Sequence, residues 1–178
     1  MNQDETRKAL EELRKYVIQQ SKSNLSRMNK NTSKTLYNSI DGDVEVYPNS
    51  LALYFTMEEY GWYQDQGVKG KTSGSRAPKS EFKFGTGTGK KGGLTKGIQK
   101  WVRRRGIQFR DKKSGKFISY QSTAFLITRS IWHKGLKSSL FFTKPFEKAI
   151  QRMPQDIAQA YGLDAGKLID GIMKQNFK

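Results

Sequence analysis

Val44-Glu45-Val46-Tyr47-Pro48-Asn49-Ser50-Leu51-Ala52-Leu53-Tyr54-Phe55 places Val44, Val46, Leu51, Leu53 and Phe55 at every second position on either side of a break at Pro48-Asn49-Ser50. A period of two marks half-buried strands, and Pro, Asn and Ser supply turn chemistry, so the stretch predicts an antiparallel hairpin. Upstream, Leu10, Leu13, Val17, Leu25 and Met28 recur at helical spacing from Asp4 to about Met28. Acids lead this segment (Asp4, Glu5, Glu11, Glu12) and Lys22, Arg27 and Lys30 close it, the order that a helix dipole favours. A short second helix is expected from a Thr32 or Ser33 cap, with Leu36, Tyr37 and Ile40 on one face and Gly42 as its stop.

Downstream of the hairpin, Met57 to Gln66 reads as a helix that carries Tyr60, Trp62 and Tyr63 and halts at Gly67. Leu94 to Arg105 reads as a basic helix, with Ile98, Trp101 and Val102 inward and Gly106 as stop. Ile107-Gln108-Phe109 and Phe117-Ile118-Ser119 flank Asp111 to Gly115 as a second hairpin candidate. Ser119 or Ser122 then caps a helix through Ala124, Phe125, Ile127, Ile131 and Trp132, ending at Gly135. After Leu140-Phe141-Phe142, Thr143 caps a further helix with Phe146, Ala149, Ile150 and Met153 inward, and Pro154 breaks it.

The chain has 178 residues, which suits one domain with extensions, and its 35% hydrophobic content points to a modest core. Ten Phe, eight Tyr and three Trp argue against wholesale disorder. With no cysteine and one histidine, disulfides, thiolate zinc sites, cysteine nucleophiles and multi-histidine metal sites are excluded. No apolar run reaches a membrane span, and the polar, acid-bearing start is unlike a signal peptide. The expectation is a soluble protein with no membrane contact.

Charge is the most uneven property of the sequence. The formal net charge is +17, yet residues 41–65 hold six acids and no base, whereas residues 66–120 hold sixteen bases and two acids. More than half of the seventeen glycines also fall in that basic third. Glycine is costly to order and like charges repel, so an extended, mobile stretch with an affinity for polyanions is expected. Its partner is either phosphate or the acidic segment of a neighbouring copy.

Catalytic motifs fare poorly. Gly87-Thr88-Gly89-Lys90-Lys91-Gly92 matches the dinucleotide pattern GxGxxG, and Asp111 follows at about the ribose-contact distance, but no buried strand precedes it and no βαβ rhythm surrounds it. A P-loop fails on spacing and on Lys91 where Ser or Thr belongs. His133 falls at a helix C-terminus, where imidazolium suits the dipole. The close carboxylate pairs, Asp41/Asp43 and Glu58/Glu59, flank a turn and a helix start. No catalytic residue, metal ligand or cofactor is therefore expected.

The order of elements, with Glu59-Tyr60-Gly61-Trp62-Tyr63-Gln64-Asp65-Gln66-Gly67 and then Lys134-Gly135-Leu136-Lys137-Ser138-Ser139-Leu140-Phe141-Phe142-Thr143-Lys144-Pro145-Phe146, resembles the small neck and tail-completion proteins of tailed bacteriophages. Tyr60, Tyr63 and Gly67 match one motif of that family, and Gly135, Leu136, Phe141 and Phe142 another; the likeness spans roughly residues 5–152. It implies an α+β fold, a small antiparallel sheet packed against a long N-terminal helix and C-terminal helices. On that basis residues 1–153 form one domain with a basic mobile insertion at 68–93, and 154–178 a helical extension. It further implies a non-enzymatic structural subunit of the virion neck, made in the host cytoplasm and closed into a homo-oligomeric ring between portal and tail around the DNA exit channel. Portal, adaptor or tail proteins are the implied partners, with non-specific contact to double-stranded DNA.

Within that frame Lys83, Lys90, Lys91 and Lys96 are candidates for DNA contact, because lysines on a flexible loop give a diffuse field. Asp41, Asp43, Glu45, Glu58 and Glu59 are candidates for a subunit interface with Arg103, Arg104 and Arg105, whose planar forks suit carboxylates. Tyr60, Trp62, Tyr63, Phe141, Phe142 and Phe146 are expected in the core or at the subunit interface. The rival expectation is a free, sequence-independent nucleic-acid-binding protein that uses Lys90, Lys91 and Arg103 to Arg105, with Trp101 and Phe109 as stacking platforms.

Overall fold

The computed structural model describes residues 4–47, 50–86, 92–153, 155 and 160. The fold is α+β, with elements in the order α1 (Asp4–Arg27), α2 (Thr35–Ser39), β1 (Asp41–Tyr47), β2 (Ser50–Thr56), α3 (Tyr60–Gln66), β3 (Val68–Lys69), α4 (Gly93–Arg105), α5 (Tyr120–Lys134) and β4 (Gly135–Leu136). A further helix, α6, covers residues 143–153. The chain divides into two compact units: one joins the described residues up to Glu58 with those from Phe141 onward, and the other is the inserted Glu59–Leu140.

In the first unit, α1 buries Thr6, Leu10, Val17, Ser21 and Leu25, a stripe at helical spacing. Its solvent side carries Lys8–Glu5, Arg7–Glu11 and Arg14–Glu11 pairs, each worth a few tenths of a kcal/mol at about this exposure. The helix stops where Asn29 adopts a left-handed φ of 54° and the Lys30 N–H returns to the Leu25 carbonyl at 2.9 Å. The hairpin forms as expected, β1 antiparallel to β2 with Val44 opposite Leu53 and Gly42 opposite Phe55. Arg14 of α1 donates to the Gly42 carbonyl at 2.7 Å.

Gly42 is therefore a strand residue and not a helix stop. A Cβ there would lie 2.6 Å from the Tyr54 carbonyl oxygen and 2.9 Å from the Phe55 ring, so the absent side chain makes room for Phe55. Helix α2 begins after a left-handed Lys34 instead of at a Thr32 or Ser33 side-chain cap.

The core of this unit is Val17, Leu25, Leu36, Ile40, Phe141, Phe142 and Ala149, ringed by Leu13, Tyr16, Tyr37, Phe55, Met57 and Phe146. Phe55 meets Phe142 edge-on at 5.4 Å and Phe146 at 5.9 Å, while Phe142 and Phe146 stack at 5.7 Å. Ile150, expected inward on α6, is instead exposed, because Ala149 and Phe146 already define the face that meets the core.

In the second unit α4 packs on α5, and β3 pairs antiparallel with β4, Val68 opposite Leu136 and Lys69 opposite Gly135. Residues 70–86 have little regular structure but are tightly tethered. Lys69 and Phe84 N–H groups bond the Phe82 and Lys69 carbonyls at 2.8 and 2.9 Å, and Ser80 Oγ donates to the Gly67 carbonyl at 2.7 Å. Lys71 N–H and Thr72 Oγ1 cap the Trp132 and His133 carbonyls at the end of α5. Over 68–86 the insertion expected at 68–93 is thus bonded to its own unit by backbone and hydroxyl groups; residues 87–91 lie outside the described residues.

The core placement expected for Tyr60, Trp62 and Tyr63 is also corrected: they are 44%, 41% and 40% exposed. Helix α3 buries Gly61 and Asp65 instead, one turn apart, because its Asp65 carbonyl accepts from the Ser139 and Leu140 N–H groups at 2.9 Å each. That close backbone approach requires small side chains on the inner face and sends the aromatics outward. Trp101, expected inward on α4, is likewise 38% exposed; Val102 alone fills that helix's buried position.

Ser119 is the side-chain cap of α5, accepting from the Ser122 N–H at 3.0 Å. Ser119→Ala should cost about 1 kcal/mol, read as a small drop in melting temperature without change in far-UV circular dichroism at low temperature.

Candidate functional site

Charge follows the division into units. Glu59–Leu140 holds 19 bases against 4 acids, so +15 of the total +17, and the remaining residues are close to neutral. Lys83 and Lys96 are exposed on this basic unit. Lys83 lies beside Lys69 in a short parallel bridge, and Lys96 sits in the first turn of α4. Lys90 and Lys91, with most of the GxGxxG stretch, lie outside the described residues.

Arg103, Arg104 and Arg105 form the exposed last turn of α4, where cations complement the helix dipole. The turn is closed by Gly106 at φ 63°, whose N–H bonds the Arg103 carbonyl, and by the Ile107 N–H on the Val102 carbonyl at 2.9 Å. This double return fixes the arginine turn and anchors the segment that follows.

Of the expected acidic partners, Asp41, Asp43, Glu45 and Glu58 belong to the first unit, and Glu59 is the first residue of the second. Asp41, Asp43 and Glu45 alternate with buried Gly42 and Val44, so all three occupy the outward face of β1. Asp41 and Asp43 carboxylates accept the following backbone N–H at 2.9 and 2.8 Å, and Glu45 accepts from the Tyr47 hydroxyl and, at 3.0 Å, from the Tyr54 hydroxyl. Those bonds to Glu45 hold both phenols above the usual 10.0. Their contribution to stability is present below that value and lost as pH rises through the raised ones. Glu58 and Glu59 are exposed at the junction between β2 and α3.

Two features were not legible from the sequence. Phe125 and Leu126 stand 58% and 45% exposed on α5, leaving an outward apolar face on that helix. The second is the segment between α4 and α5. Asp111, considered as a ribose contact, instead binds its own turn: Oδ1 accepts from Lys113 N at 3.1 Å, Ser114 N at 2.7 Å and Ser114 Oγ at 2.8 Å. The Ser114 bonds hold its carboxyl below the usual 3.8. The turn bonds are complete above that value and are lost as pH falls through the lowered one.

Among the described residues no group of three or more His, Asp or Glu side chains could hold a metal ion, and no helix is long and apolar enough to cross a membrane. His133 lies in the last turn of α5. Set against known protein families, curated proteins and solved structures, the chain finds no match in any of the three.

Proposed function

We propose that this chain is a non-enzymatic structural subunit of a tailed-phage neck, a head-to-tail connector or tail-completion ring that joins portal to tail around the DNA exit channel. The observation that carries this reading is the sorting of charge: an acidic strand face on one unit and a strongly basic second unit. Two unlike, complementary surfaces on one chain make a heterologous interface, which generates a ring when the rotation closes. Exposed Tyr60, Trp62, Phe125 and Leu126 supply apolar area suited to burial against other copies. The basic excess suits a channel through which DNA slides, held by phosphate attraction without base reading.

Native mass measurement and light scattering test it. A closed oligomer of one size is expected on raising concentration, and Asp43→Lys with Glu45→Lys should return it to monomers with wild-type far-UV circular dichroism, since both side chains are exposed and the change removes only the surface hydrogen bonds they accept. A wild-type chain that stays monomeric at every concentration, alone and with portal complexes, yet binds duplex DNA would overturn the ring and leave a free nucleic-acid-binding protein.

A further inference from the structure

The segment joining α4 to α5 is a short, rigid, basic finger. Its two sides are bridged at Arg110 and Phe117, with the Asp111 N–H on the Lys116 carbonyl and the Ile118 N–H on the Phe109 carbonyl, both at 2.9 Å. Its base is fixed twice more: the Phe109 N–H reaches Thr123 Oγ1 of α5 at 3.2 Å, and Gln108 Nε2 reaches the Ile118 carbonyl at 3.0 Å. Thr123 is fully buried, so this tether is held by the interior of the unit.

The tip carries Arg110, Lys112, Lys113 and Lys116, all exposed. Among the described residues no carboxylate pairs with the three lysines. The one acid of the tip, Asp111, spends its charge on two backbone N–H groups and a hydroxyl of its own turn, and Gly115 at φ 69° completes that turn. Arg110 lies 4.5 Å above the Phe117 ring, which holds its guanidinium in place.

We propose that this finger is a preformed contact for the phosphate backbone of double-stranded DNA. The inference rests on the nucleic-acid part of the reading above and gives it a defined site. Three lysines rooted on a turn whose backbone is held by hydrogen bonds start from defined positions and reach out on flexible stems, which suits phosphates that must be held and released. A finger already ordered spares the ordering entropy that a loose glycine-rich loop would lose on binding. The contact thus falls on Arg110 to Lys116 as well as on the lysines singled out by composition.

Asp111 offers a test in which two physical effects have opposite sign. Asp111→Asn and Asp111→Ala both remove one negative charge, but only Asn keeps an oxygen that can accept the turn's hydrogen bonds. Binding of the full chain to a mixed-sequence duplex is followed by fluorescence anisotropy across a sodium chloride series. Asp111→Asn should bind at least as tightly as wild type, and Asp111→Ala several-fold more weakly than Asp111→Asn. Lys112→Gln/Lys113→Gln/Lys116→Gln should flatten the log–log salt slope by up to about 2.7, at about 0.9 per lost phosphate contact.

Equal, tightened binding by both Asp111 variants would show a diffuse field and overturn the preformed contact. A triple-glutamine variant with the wild-type slope, tryptophan emission being unchanged, would overturn the finger while leaving DNA binding by the chain intact. Failure of the wild-type chain to bind duplex at low salt would instead overturn the nucleic-acid part of the parent reading, and ring formation is scored separately.

Discussion

Phe142→Ala should destabilise the first unit by about 3–5 kcal/mol, the range for deleting a large aromatic from a packed core. Phe142 is 6% exposed and its ring is the centre of a three-phenylalanine group, edge-on to Phe55 and stacked on Phe146. Truncation removes two aromatic contacts together with the apolar area, and the site collapses poorly. The neighbouring Phe141 backbone is held by Asn24 Nδ2 at 3.1 Å, and its side chain is fully buried, so the backbone cannot follow the void. Equilibrium urea unfolding followed by far-UV circular dichroism measures it. An unchanged midpoint would refute the core role.

A loss of similar size is expected from Gly135→Ala in the second unit. Gly135 has φ 88°, a region L side chains rarely adopt, and an added Cβ would fall on the Val68 carbonyl oxygen and within 2.7 Å of the Gly70 nitrogen. Backbone strain of about 1–3 kcal/mol and a clash with rigid backbone of about 1–3 kcal/mol together give roughly 2–6 kcal/mol. The damage should centre on the β3–β4 pair and on the cap of α5, whose Ile131 carbonyl takes the Gly135 N–H. Trp62, Trp101 and Trp132 all lie in Glu59–Leu140, so tryptophan emission reports this unit selectively. Emission and midpoint equal to wild type would contradict the geometry.

The hairpin and the long first helix were legible because each repeats one period over many residues, and α4 and α5 because Gly106, Ser119 and Gly135 mark their ends by local chemistry. What escaped depended on distant partners. Val68 and Leu136 pair in two-residue strands with no pattern of their own, and the outward turn of Tyr60, Trp62 and Tyr63 is imposed by the Asp65 carbonyl meeting Ser139 and Leu140. One seven-residue helix bearing three large aromatics offers no periodicity from which to choose a face. For the candidate site, the sign and location of charge were readable from counting. The rigidity of the Arg110 to Lys116 finger was not, because it depends on where one carboxylate directs its hydrogen bonds.

The bonds from Ser139 and Leu140 to the Asp65 carbonyl have a consequence for how such a chain can change over time. They tie the exit of the inserted unit to its entry, so the intervening residues 66–138 form a closed cassette with neighbouring ends. Insertions with adjacent termini are tolerated best, since the host needs no rearrangement to admit or lose them. Recombination could exchange this cassette for one of another charge or length while the phenylalanine core persisted. Lineages descended from a common ancestor would then share the first unit and differ in what they bind.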